Sequence, residues 1–174
     1  MSTTPSLFAP WRMDYIRAID KGPADCFLCA AANLPPDAMP AARKEKLVLW
    51  ASEHCIVMIN RYPYTNGHLL IAPKSHKAEL EDLSDAEQCD LMRQTAAAIQ
   101  LLKRAISPQG FNVGINLGRS AGAGVPGHLH QHVVPRWNGD TNFMSVVGEI
   151  RVVPQAMSQL YDELIRVAAE IGKA

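Results

Sequence analysis

Three of the chain's six histidines stand at alternate positions in "GHLHQHVVPRW", which runs from Gly127 to Trp137. Side chains two apart on a strand share a face, so a strand here would set His128, His130 and His132 in one row. Such a row admits three chemistries. The rings can be satisfied by local hydrogen bonds, they can chelate a metal through neutral imidazole, or one can act as a nucleophile while its neighbours orient it and handle protons. Metal-dependent hydrolases usually complete their cage with carboxylates, yet no Asp or Glu lies between Asp90 and Asp140. The preceding loop, "GRSAGAGVPG", is built from glycine and small residues, whose backbone N–H groups can converge on a phosphate without obstruction. Phosphate chemistry with an imidazole nucleophile is the better fit.

A second constellation is "DCFLC", which spaces Cys26 and Cys29 for two thiolates on one ion. A lone pair of this kind is weak evidence until partner ligands are found. Cys55 and Cys89, the other two cysteines, read as ordinary buried thiols.

At 174 residues the chain fits one domain and is long enough to bury a substantial core without a metal. Lys plus Arg and Asp plus Glu number 17 each, so no overall basic field exists to hold a nucleic-acid backbone or an anionic membrane. The N-terminal "MSTTPSLFAPWRMDYIRAID" lacks the basic-then-apolar run of a secretory signal, and no apolar stretch is long enough to span a bilayer. The expected location is cytoplasmic, where close cysteines bind metal or stay free.

The elements that position these residues follow from hydrophobic period. Residues 1–40 read as an irregular wrapping extension, with "WRMDYIRAI" as a short amphipathic turn and Pro35, Pro36 and Pro40 as breakers. "KLVLWASEHCIVMIN" and "GHLLIAP" predict two or three antiparallel strands around the turn-rich "RYPYTN". A long helix opens at the capping-box pair Ser84 and Glu87, with Cys89, Leu91, Met92, Ala96, Ile99, Leu102 and Ile106 at helical spacing. "FNVGINLG" alternates as a strand before the glycine loop and the histidine strand. "FMSVVGEIRVV" reads as a strand or loop, and "PQAMSQLYDELIRVAAEIGKA" as an amphipathic helix with Pro154 at its start. The order predicts an α+β fold, an antiparallel sheet with helices laid on it.

"HLHQHVV" matches the His-φ-His-φ-His-φ-φ signature of the histidine triad (HIT) superfamily, with Gln131 at one φ position. The resemblance extends through "INRYPYTNGHLLIAPKSH" and "GINLG", and covers roughly Cys26 to Asp140. "FAPWRMDYI" and "VVPRWNGDTNFM" resemble the bacterial branch that includes diadenosine tetraphosphate phosphorylases. The resemblance implies a HIT-like antiparallel sheet with a long and a C-terminal helix, and nucleotidyl hydrolase or transferase activity at the α-phosphate of an adenine nucleotide. It implies a catalytic core over residues 41–140, with residues 141–174 packing on it.

Carried over by position, His130 becomes the nucleophile, with its second ring nitrogen held by a backbone carbonyl near His128. His132 and His68 fall near the phosphate and leaving group, as protonated imidazoles that offset charge or donate a proton. Asn116 and Asn60 resemble the family asparagines at the phosphate and the ribose. Relatives often carry Ser or Thr three residues before the first triad histidine; here that residue is Val125. Backbone amides of Gly124, Val125, Pro126 and Gly127 form the corresponding substrate-binding loop, proline contributing no N–H. The zinc-bearing members complete the cysteine pair with residues that are here His76 and His128, giving a structural Cys2His2 zinc and no organic cofactor. Family members join their sheets as homodimers, and "LLKRAI" on the long helix offers apolar surface for such an interface. The acceptor, water or phosphate, stays open, as do a metal-centred hydrolase and a non-catalytic nucleotide-binding module.

Overall fold

The computed structural model describes residues 26–140 and 154–173. The sequence readings on "WRMDYIRAI" and "FMSVVGEIRVV" lie outside them. The described elements are α1 (Phe27–Ala32), α2 (Pro40–Glu45), β1 (Val48–Ala51), β2 (Cys55–Ile59), β3 (Leu69–Pro73), α3 (Asp85–Ile106), β4 (Gly110–Ile115), β5 (Gln131–Arg136) and α4 (Met157–Glu170). The strands form one antiparallel sheet in the order β1-β2-β3-β5-β4. The α+β expectation therefore holds.

Leu69, Ile71, Val57, Ile59 and Val133 project from one sheet face into the main core, against Leu91, Ala98, Leu101 and Leu102 of α3 and Leu160, Leu164 and Ala168 of α4. The opposite face carries Val48, Ile56, Met58, Leu70 and Ala72, covered in part by Cys26, Leu28 and Ala31 around α1. Register sets Leu70 across from His132, so the His132 imidazole stands on this second face. Gln131, one residue earlier, points to the helix side, where its Nε2 donates to Thr95 Oγ1 at 2.6 Å.

Several sequence expectations change. Pro40 opens a helix instead of breaking one, because its fixed φ suits the first helical position. The extension read as irregular contains α1 itself. Pro154 precedes α4 by three residues instead of starting it. The capping box of Ser84 and Glu87 forms as expected, but the buried stripe of α3 runs through Asp90, Leu91, Gln94 and Thr95, while Cys89 and Met92 are exposed. The polar members of that stripe are satisfied: Asp90 accepts from Ser52 Oγ, His54 N–H and Gln94 Nε2, and Gln94 Oε1 accepts from Trp50 Nε1–H. Leu101 and Leu102 of "LLKRAI" are fully buried in the chain's own core, so these two leucines are not surface residues.

The ladder of β5 begins at Gln131, so His128 and His130 precede it and only His132 lies within it. This departure from a single row lets two of the three rings face different chemistry.

Candidate active site

His128 is fully buried, and its Nε2–H donates to the carbonyl of Pro73 at the end of β3, at 2.8 Å. That bond places the lone pair on Nδ1, which lies 3.4 Å from both Cys26 Sγ and Cys29 Sγ. His76 Nδ1 is 3.1 Å from Cys29 Sγ. Cys26 caps the start of α1 and Cys29 lies in its first turn, which explains how the spacing brings both thiols to one side. The four ligand atoms of Cys26, Cys29, His76 and His128 all lie within 4.8 Å of one another. A metal-bound histidine normally gives its other N–H to a carbonyl or carboxylate, as His128 does to Pro73. The donor set thus fits a tetrahedral Cys2His2 ion, with no fifth protein ligand required. Without an ion, burial and the neighbouring Cys26 push the Cys29 thiol up to about 11, and burial pushes His128 down to about 4.

His130 is 5% exposed, and its Nδ1–H donates to the carbonyl of His128 at 2.9 Å. The tautomer follows: Nε2 holds the lone pair. Burial lowers the ring's pKa despite that hydrogen bond, which favours the neutral ring.

A chain of donors fixes the other two rings. The N–H of Tyr64 and the amide Nδ2 of Asn60 both approach His68 Nδ1, at 3.1 Å and 3.2 Å, so Nδ1 is an acceptor and Nε2 carries the proton. His68 Nε2–H then donates to His132 Nδ1 at 2.9 Å. The proton of His132 is left on Nε2, a buried atom with no partner among the described residues. Burial, then the adjacent His130, push His132 down to about 4. It is therefore a neutral donor near neutral pH, not the protonated imidazole that the sequence reading anticipated. The rings of His130 and His132 meet edge to face at 5.0 Å.

The remaining expected residues are distributed unevenly. Asn60 spends its amide on His68, and its Oδ1 accepts from the N–H of Tyr62. Asn116 Nδ2 donates to Gly122 O at 3.4 Å, at the root of the glycine loop. Val125 packs against the second core cluster, so a phosphate could use only its backbone. A Cβ on Gly127 would lie 3.4 Å from His76 Nε2, which places the loop's end against the metal cluster. Sequence reasoning missed Tyr64, whose ring stacks on His132 at 5.8 Å with an interplanar angle of 17°. An aromatic four residues before His68 in a turn was the available signal.

The family model described as the HIT domain matches residues 41–139. The chain is 40% identical over 154 residues to a Mycobacterium tuberculosis protein named AP-4-A phosphorylase, covering 87% of this chain and 77% of that one. It is 31% identical over 93 residues to the asymmetrical bis(5'-nucleosyl)-tetraphosphatase of Schizosaccharomyces pombe, covering 53% of this chain and 50% of that one. Among solved structures, a zinc-bound histidine triad family protein from Mycobacterium smegmatis superposes with a TM-score of 0.66 at 24% identity, covering 87% of this chain and 98% of that chain.

Proposed function

This chain belongs to the HIT domain family, and from that membership and the tautomers of its imidazoles we propose that it transfers a nucleoside monophosphate through a covalent nucleotidyl-His130. The observation that carries the reading is the 2.9 Å bond from His130 Nδ1–H to the His128 carbonyl, which leaves Nε2 as the attacking lone pair. Nε2 bonds to the α-phosphorus while the bond from phosphorus to the departing oxygen breaks and its electrons leave with that oxygen. One hard displacement becomes two easier ones. Positive charge developing on the ring is offset by the carbonyl dipole at Nδ1. The unpartnered Nε2–H of His132 donates to the departing oxygen. A departing phosphate is stable as an anion near neutral pH, so this hydrogen bond suffices without full proton transfer. In the second step an acceptor oxygen attacks phosphorus, the P–N bond breaks and the lone pair returns to His130.

The substrate class is a dinucleoside polyphosphate or a conjugate of AMP, with adenine favoured by the name of the Mycobacterium tuberculosis relative. The 40% identity to a protein named for phosphorolysis favours inorganic phosphate over water as acceptor. Asn116 and the backbone of Gly124, Val125 and Gly127 hold the phosphates, and Asn60 acts at the ribose end through the loop it shares with His68.

Cys26, Cys29, His76 and His128 would hold a structural zinc, which would fix the backbone of His128, and four protein ligands would leave no position for activating water. That arrangement makes residues 26–40 part of the catalytic unit over 41–140. A homodimer forms across β4: this strand ends the sheet with Val113 on it 44% exposed and Leu117 just beyond it 40% exposed, whereas Tyr161 OH caps the Val48 carbonyl at the other end. Four unpaired cysteines suit the cytoplasm. Among the described residues no helix is long and apolar enough to cross a membrane.

Incubation with diadenosine tetraphosphate, with and without inorganic phosphate, tests the reading. ADP plus ATP formed only with phosphate supports phosphorolysis, and AMP plus ATP in both tubes supports hydrolysis. No turnover in either tube retires dinucleoside tetraphosphate as the substrate.

A further inference from the structure

Three of the four metal-site residues are held by local structure. Cys26 is a buried helix N-cap, Cys29 lies within α1, and His128 is locked to the Pro73 carbonyl. His76 differs, because it is exposed and lies on an irregular segment between β3 and α3.

Its two neighbours are anchored by one carboxylate. Glu87 Oε1 accepts from Ser75 Oγ, and Oε2 accepts from Lys77 Nζ at 2.8 Å. Oε2 also takes the N–H of Ser84 at 2.7 Å, completing the capping box of α3. Capping needs only one of these oxygens, yet Glu87 is 8% exposed and uses both. The segment is fastened on its other side as well, since the Lys77 carbonyl accepts from Leu129 N–H at 2.7 Å, between His128 and His130.

We propose that Glu87 is a positioning residue of the metal site, clamping Ser75 and Lys77 so that His76 is presented to Cys26, Cys29 and His128. The inference rests on the reading that these four residues bind a metal. Through the Lys77 to Leu129 bond, the start of α3 also steadies the segment that leads through His130 into β5.

Titration of the metal-free protein with cobalt(II), followed by zinc competition against a chromogenic chelator, reads this without reference to activity. The parent should bind one equivalent with the absorption of a tetrahedral thiolate site. Glu87→Gln keeps a capping side chain but loses the charge facing Lys77, and should bind about 10- to 100-fold more weakly. The double variant Ser75→Ala with Lys77→Met should weaken binding likewise, and it decides the matter if Glu87→Gln does not fold. Ser84→Ala, which removes the helix cap and the 3.0 Å bond from Ser84 Oγ to Glu87 Oε2 but leaves Ser75 and Lys77 on the carboxylate, should stay within about twofold of the parent. Parent-like affinity in both clamp variants overturns the inference alone, as does an equal loss in Ser84→Ala. A parent that binds neither metal overturns the metal reading and the inference with it.

Discussion

His130 donates its Nδ1–H to the backbone carbonyl of His128 at 2.9 Å, while the ring of His128 points to Cys26 and Cys29. One residue therefore orients the proposed nucleophile with its main chain and faces the candidate metal ligands with its side chain. On the proposed reading, reactivity at His130 and order at the CxxC pair are coupled through His128.

His132→Phe removes the Nε2–H donor while keeping a ring against Tyr64. Turnover of a dinucleoside polyphosphate should fall about 10²-fold, the usual cost of one lost donor to developing charge. An adenosine phosphoramidate should suffer more, because an amine leaves poorly without a proton. Steady-state rates with both substrates check this, and equal losses would contradict it.

Acid should destabilise the fold in two stages. Burial holds His132 at about 4 against an ordinary 6.5, so the unfolded chain takes up that proton first and stability falls as pH drops through this window. Hydrogen bonds from Lys77, Ser75 and Ser84 hold Glu87 at about 2 against 4.5. Its contribution is present above 4.5 and disappears as pH falls toward 2, on the order of 2 kcal/mol. Urea midpoints measured across both windows should drop throughout in the parent, and Glu87→Gln should flatten only the lower stage. Parallel curves would contradict the assignment.

Gly67→Ala should cost about 2–4 kcal/mol. Gly67 has φ +77°, and an added Cβ would lie 2.4 Å from Ile106 Cδ1 and 3.2 Å from Leu102 and Pro135. The tip of Ile106 must therefore turn aside, and the left-handed φ strains any added side chain whatever the space. Chemical denaturation measures the cost, and a loss under about 1 kcal/mol would show that the packing yields easily.

A closed Cys2His2 site predicts that the metal's identity matters little to chemistry. Replacing zinc by cadmium should leave turnover within about threefold, while chelation should lower the thermal midpoint. A large change in rate on exchange would favour a Lewis-acid role.

The strands were legible because "CIVMI" and "LLIAP" are unbroken apolar runs, and the long helix because Ser84 and Glu87 mark its start. Its buried face was misread because Asp90, Gln94 and Thr95 are polar by type. Only their distant partners Ser52, Trp50 and Gln131 make them core residues, and no local pattern reveals those pairings. The Cys2His2 cluster was visible only through family resemblance, since its members come from three separated segments. The tautomers of His68 and His132 were illegible altogether, because they depend on the N–H of Tyr64 and the amide of Asn60.

The central claim is a covalent bond between His130 and the nucleotide. Rapid mixing with diadenosine tetraphosphate, an alkaline quench that preserves P–N bonds, and peptide mass spectrometry test it directly. A nucleoside monophosphate adduct on the peptide bearing His130 is expected, formed within the turnover time and discharged on adding the acceptor. His130→Ala should lack it and lose about 10⁴-fold or more in turnover while still binding nucleotide. Turnover without any adduct, or an adduct on another residue, would contradict the account.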